Sequence, residues 1–279
     1  REEFERPVAE WPQAAENFAA RVVEVHKKYA FVSREDQVGT IDTTDVWLAT
    51  ISQRYLQARR HERNFICVGD RVFCRKAEEA ERNTSSELQQ CSILHMAPRR
   101  SKISRVDPAA EERQHVLASN MDQVVIVSSF RNPKVKWGLI DRYITLAELE
   151  EIESVIVLNK RDLIGEMSDE VRADAEKRLD LYRGLGYAVF EVQANTDGKD
   201  PAFTELCNGL ANKISLLTGH SGVGKSSIIN LFKPEIVQVV EPDSNIFYKG
   251  RHTTSFASFI RLGTGGYVIA TPGIRSFMI

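Results

Sequence analysis

The run Gly219-His220-Ser221-Gly222-Val223-Gly224-Lys225-Ser226 follows the apolar stretch Ile214-Ser215-Leu216-Leu217 and precedes Ser227-Ile228-Ile229-Asn230-Leu231, so strand, glycine-rich turn and helix are written in succession. The run fits G-x-x-x-x-G-K-[ST], the phosphate-loop pattern, and four fixed residues in that context argue against a chance glycine-rich turn. The glycines let the backbone N–H groups from Gly219 through Gly224 turn inward around the phosphates of a nucleotide. Lys225 then brings a point charge to the outer phosphates from an exposed loop, and Ser226 offers a hydroxyl to Mg²⁺. The helix is expected to open at Ser227, with its positive end facing the same anion.

The base is read elsewhere. Val155-Ile156-Val157-Leu158 has the composition of a buried strand, and Asn159-Lys160-Arg161-Asp162 at its end is the N-K-x-D pattern of guanine-specific GTPases. A carboxylate at Asp162 accepts from both guanine N1–H and the 2-amino group, whereas adenine has an acceptor at N1 and nothing at C2. Two charge-assisted hydrogen bonds at about 1.5 to 3 kcal/mol each set a guanine preference on the order of hundreds-fold or more. Asn159 is expected to hold the loop and the purine edge, with the Lys160 stem along the base plane. Val192-Gln193-Ala194-Asn195, after the strand ending at Val192, takes the place of a short second guanine-contact loop through Ala194.

In the usual GTPase the phosphate loop comes first, but here the guanine motif precedes it by roughly sixty residues, so the domain is circularly permuted. Switch segments are expected afterwards, at Gly250-Arg251-His252-Thr253-Thr254-Ser255 and at Thr271-Pro272-Gly273 behind the strand Tyr267 to Ala270.

This order, with G-H-S-G-V-G-K-S-S and G-R-H-T-T, resembles the ribosome small subunit-dependent GTPase A family (RsgA/YjeQ) from about Arg21 to Ile279. Asn120-Met121-Asp122-Gln123 is similar to the family's N-V-D-Q lead-in to its first GTPase strand. The resemblance implies a cytoplasmic GTPase that binds GTP and GDP with Mg²⁺, docks on the small ribosomal subunit and its rRNA late in assembly, and is stimulated by it. The usual water-positioning Gln is replaced by Ile274, which makes His252 the candidate for placing the attacking water. Thr253 or Thr254 is the candidate second protein ligand to Mg²⁺ beside Ser226, and spacing does not choose between them. The chain departs from the family pattern at Ala270, where D-T-P-G has an acid, which brings hydrolysis into question and leaves a GTP-dependent binding switch as the alternative. The family also carries a zinc domain whose ligands are not found in this chain.

The rest of the chain is read as an N-terminal arm (1–20), a small all-β OB-fold barrel (21–98) and the permuted α/β domain with a mostly parallel sheet (99–279). The barrel rests on Arg21-Val22-Val23-Glu24-Val25, Tyr29 to Ser33, Gly39-Thr40-Ile41 and Val68 to Cys74. At 279 residues and 42% apolar content there is enough chain for two cores, and a net charge of -2 leaves any RNA contact to local basic patches. Arg99-Arg100-Ser101-Lys102-Ile103-Ser104-Arg105 is one such candidate or a solvated linker, and Arg54 to Asn64 is another. Cysteines 67, 74, 91 and 207 form no C-x-x-C pair and read as free thiols. No apolar run reaches membrane-spanning length, so no membrane is expected as a partner, and the chain reads as a monomer.

Overall fold

The computed structural model describes residues 7–11, 16–26, 29–36, 40–51, 65–78, 88–107, 110–195, 200–232 and 258–270. The chain divides into two compact units with the boundary at Asn120/Met121.

The first unit is built on five strands, β1 (Asn17–Val25), β2 (Tyr29–Glu35), β3 (Ile41–Ile51), β4 (Arg71–Lys76) and β5 (Gln90–Met96). They close in the order β1-β2-β3-β5-β4, with β4 back on β1 and the β3–β5 pair parallel. A five-stranded barrel closed in this way matches the expected OB-fold. Period-2 alternation writes its core: Phe18, Ala20 and Val22 from β1, Ala30 and Val32 from β2, Trp47 and Ala49 from β3, Val72 and Cys74 from β4, Cys91 and Ile93 from β5. The alternation starts at Phe18, so β1 begins inside the segment read as an arm, which also holds a 3-10 turn at Val8–Glu10.

A hairpin of β6 (Lys102–Asp107) and β7 (Ala110–Ser119) belongs to this unit. Here the structure differs from a boundary at the basic linker. Arg99 places Nε 2.7 Å and Nη2 2.8 Å from the Asp70 carboxylate, and Asp70 also accepts from Ser119 Oγ at 2.6 Å and from Cys67 N at 2.9 Å. Asn120 Nδ2 donates to Gly69 O at 3.0 Å. These bonds fasten both ends of the hairpin to the turn before β4, so Arg99 is a structural ion-pair partner and Lys102 and Arg105 lie within a strand. The Arg54 to Asn64 insertion lies outside the described residues.

The second unit runs β8 (Gln123–Ser129), α1 (Trp137–Leu149), β9 (Glu153–Asn159), α2 (Asp169–Gly184), β10 (Ala188–Glu191), α3 (Pro201–Gly209), β11 (Ile214–Gly219), α4 (Lys225–Leu231), β12 (Ser258–Arg261) and β13 (Tyr267–Ala270). The sheet order is β10-β9-β8-β11-β13-β12, and the pairs from β10 to β13 are parallel. β8 is buried along its whole length, as a strand covered on both faces must be. Val125, Val127, Val155, Val157 and Leu217 pack with Phe203 and Leu206 of α3, its C-cap Leu210 and Ile228 of α4, while α1 covers β8 and β9 on Ile140, Tyr143, Ile144 and Ala147. In register, Gly219 lies beside Val127 and Asn159 beside Ser129, which brings the carboxyl ends of β8, β9 and β11 to one edge.

Candidate guanine-nucleotide site

The phosphate loop leaves β11 at Gly219, whose φ of +141° and close approach to the Val127 carbonyl leave no room for a Cβ. Helix α4 opens at Lys225, two residues before the expected start, with Gly224 as its N-cap at φ +97°. Lys225 is therefore a half-buried first helical residue rather than part of an exposed loop. Its Nζ donates to Gly219 O at 2.7 Å and His220 O at 2.8 Å, so the ammonium lies across the mouth of the loop, and burial lowers its pKa. Ser221, Gly222, Ser226 and Ser227 are exposed around this turn, and Val223 is buried in the α3–α4 core. The Ser226 hydroxyl, exposed in the first turn of α4, is a hard oxygen donor of the kind Mg²⁺ takes, so the residues present fit that ion.

The guanine motif is bonded to this loop directly. Asn159 Nδ2 donates to Val223 O at 3.0 Å, and its Oδ1 accepts from Ala194 N at 3.1 Å, so one buried amide ties the motif, the phosphate loop and the second guanine loop together. A Cβ on Gly224 would collide with that amide. Lys160, at φ +62°, donates through Nζ to Gly222 O at 2.8 Å and to Asn132 O, which lays its stem across the edge between the two motifs. Asp162 stands exposed in the 3-10 turn Arg161–Glu166, its carboxylate engaged only by Asn195 Nδ2 at 3.3 Å among the described residues. Its oxygens are thus available to a base.

Two contributors escaped sequence reasoning. Asp200, almost fully buried, accepts from Gln193 N at 2.7 Å and Ala202 N at 3.2 Å and pairs with Arg161 at 3.1 Å, so it caps α3 and fixes the loop carrying Ala194. The Asp200-Pro201 dipeptide, an N-cap followed by proline, was the available signal. Lys136 is the other, with Nζ 3.2 Å from His220 Nε2; nothing in the sequence marks that pair. His252, Thr253, Thr254 and the Thr271 to Gly273 segment lie outside the described residues. Ala270 ends β13, buried and paired with Leu217.

A parallel sheet with a phosphate loop after β11 and the guanine loops on the preceding strands β9 and β10 defines a circularly permuted P-loop GTPase domain, preceded by a closed barrel. The RsgA GTPase family model matches residues 96–279, and the chain belongs to that family. It is 38% identical over 219 residues to the small ribosomal subunit biogenesis GTPase RsgA of Chlorobaculum parvum, covering 77% of this chain and 66% of that protein. With the protein of the same name from Actinobacillus succinogenes it shares 37% over 213 residues, covering 76% and 57%. The chain thus spans less than two thirds of the length of these curated relatives. Among solved structures, YjeQ from Thermotoga maritima superposes with a TM-score of 0.65 at 25% identity, over 94% of this chain and 77% of that one. YloQ, described as a circularly permuted GTPase, superposes at 0.63 and 20% identity over 96% and 76%, a likeness of fold alone.

Proposed function

We propose that this chain binds GTP and GDP and hydrolyses GTP as a factor for late assembly of the small ribosomal subunit. The observation that supports it most is the Asn159 amide joining the guanine motif to the Val223 carbonyl of the phosphate loop and to Ala194. That bond makes base and phosphate recognition one site. Asp162 reads the guanine edge, the loop amides from Gly219 to Gly224 with Lys225 hold the phosphates, and Ser226 with Thr253 or Thr254 holds Mg²⁺, which when bound offsets charge on the outer phosphates. His252 places the attacking water. The names of the curated relatives favour the small ribosomal subunit as partner. Contact with its rRNA, stimulation on docking and a cytoplasmic, monomeric state complete the proposal. No helix among the described residues is long and apolar enough to cross a membrane.

Titration with GTP, ATP and xanthosine triphosphate tests the pocket, and single-turnover hydrolysis with and without small subunits tests the activity. Binding of ATP as tight as GTP overturns the guanine reading. A second reading, a GTP-dependent binding switch with little turnover, is favoured by Ala270, which puts a methyl group at the end of β13 where the family pattern has an acid. If Ala270 is what limits hydrolysis, Ala270→Asp raises Mg²⁺-dependent turnover, because a carboxylate there orients the metal's waters. His252→Ala in the restored background then lowers kcat by about 10²-fold with GTP affinity nearly unchanged. Equal turnover in the two backgrounds leaves His252 without a catalytic role.

A further inference from the structure

The segment between β8 and α1, marked in the sequence only by Pro133, touches both halves of the site. Ser129 Oγ donates to Pro133 O at 2.8 Å, and Arg131 Nη1 reaches Glu166 O at 2.8 Å just past the guanine motif. Lys160 donates to Asn132 O, and Lys136, the N-cap of α1, lies with Nζ 3.2 Å from His220 Nε2 in the phosphate loop.

The last contact carries chemical information. His220 Nδ1 is 2.8 Å from the carbonyl oxygen of Ser221, which can only accept, so Nδ1 bears the hydrogen. An ammonium can only donate, so Nε2 must present a lone pair to Lys136. Both bonds exist together only with a neutral imidazole in the Nδ1–H form. An imidazolium would turn N–H toward N–H and set two like charges at contact distance. Lys134 and the Tyr143 phenol line the same cavity, Lys225 sits 2.8 Å from the His220 carbonyl, and no carboxylate lines that cavity among the described residues.

We propose that Lys136 and His220 are a positioning pair for the phosphate loop: the Nδ1–H imidazole anchors the first variable residue of the loop to the N-terminus of α1, and loss of either side chain releases it and weakens nucleotide binding. The proposal rests on the guanine-nucleotide reading above. Fluorescent GDP is titrated into the full chain at about pH 8 for the parent, His220→Gln, Lys136→Met and the double variant, a pH at which a free imidazole is mostly neutral. Each single variant should bind about five- to tenfold more weakly than the parent, as loss of one exposed hydrogen bond requires, and the double variant should bind no more weakly than either single one. In the nucleotide-free chain, ¹⁵N imidazole shifts should report the Nδ1–H tautomer at His220 in the parent and a tautomer mixture in Lys136→Met. Additive losses in the double variant, or a tautomer indifferent to Lys136→Met, overturns the pair. If His220→Gln fails to fold, Lys136→Met alone decides. Absence of GDP binding by the parent overturns the nucleotide reading instead, and the imidazole shifts still decide the pair.

Discussion

The barrel unit and the GTPase unit use the same charged residue types to opposite ends. In the barrel unit, Glu35 is buried between Arg21 Nη2 at 2.6 Å and Arg71 Nε at 3.1 Å, and Asp70, with no exposed surface, is filled by Arg99, Ser119 and Cys67. Burial holds the Arg21 pKa below its usual range, and Glu35 opposes that shift. At the carboxyl edge of the GTPase sheet, by contrast, Asp162 and Ser226 stay exposed, and Lys160 and Lys225 lean on backbone carbonyls that a ligand can replace. A charge saturated by other charges holds a fold together. A charge parked on neutral carbonyls at a sheet edge remains free to meet an anion.

The largest effect that would test this contrast is Asp70→Ala. Removing the carboxylate leaves the Arg99 guanidinium and the Cys67 amide without their partner in a buried place, and about 3 to 5 kcal/mol of stability should be lost. Urea unfolding followed by tryptophan fluorescence, with Trp47 in the barrel core, measures it. A loss below about 1 kcal/mol would remove the distinction between the two regions. Asp162→Asn is its counterpart. The change exchanges an acceptor pair for an acceptor and a donor, so GTP should bind about a hundredfold more weakly while xanthine nucleotides gain. Stability should stay within about 0.5 kcal/mol of the parent, because the side chain is exposed. Calorimetric titration with both nucleotides checks this.

Legibility in the sequence divides along similar lines. The phosphate loop and N-K-R-D are each contiguous in the chain, so their patterns could be read from spacing without knowledge of any distant partner. The start of the helix Asp169–Gly184 carries a local signal, since Ser168 caps it with its Oγ accepting from Val171 N. The start of β1 does not, since Asn17 and two alanines carry little strand preference and only the alternation of Phe18 and Ala20 with Val22 marks it. Partners far apart in the chain were invisible: Arg99 meets Asp70 across 29 positions, and Lys136 meets His220 across 84. A basic run therefore looked available for RNA when its first arginine was already engaged.

Lys225→Ala sharpens the comparison at the site itself. Its ammonium supplies the loop's cation, so affinity for GTP should fall about tenfold to a hundredfold. The same ammonium holds the carbonyls of Gly219 and His220, so a small stability loss of about 1 kcal/mol should accompany it. Thermal unfolding of the nucleotide-free variant separates the two. A stability loss as large as that of Asp70→Ala would place Lys225 among the structural charges.

The smallest effect belongs to Ser168→Ala, which removes a polar group that serves structure within the GTPase unit and yet stands exposed. Ser168 Oγ accepts from Val171 N at 3.4 Å, with Asp169 and Glu170 adding favourable charge to the same helix turn. The long bond and the solvent access put the loss at about 0.5 to 1 kcal/mol, since water can take over the freed amide. GTP affinity should not move, because the cap lies beyond the 3-10 turn that carries Asp162 and makes no bond to it. A measurable change in guanine affinity on Ser168→Ala would mean that α2 sets the position of the guanine loop. The exposed edge would then depend on helix stability as closely as the barrel depends on its buried carboxylates.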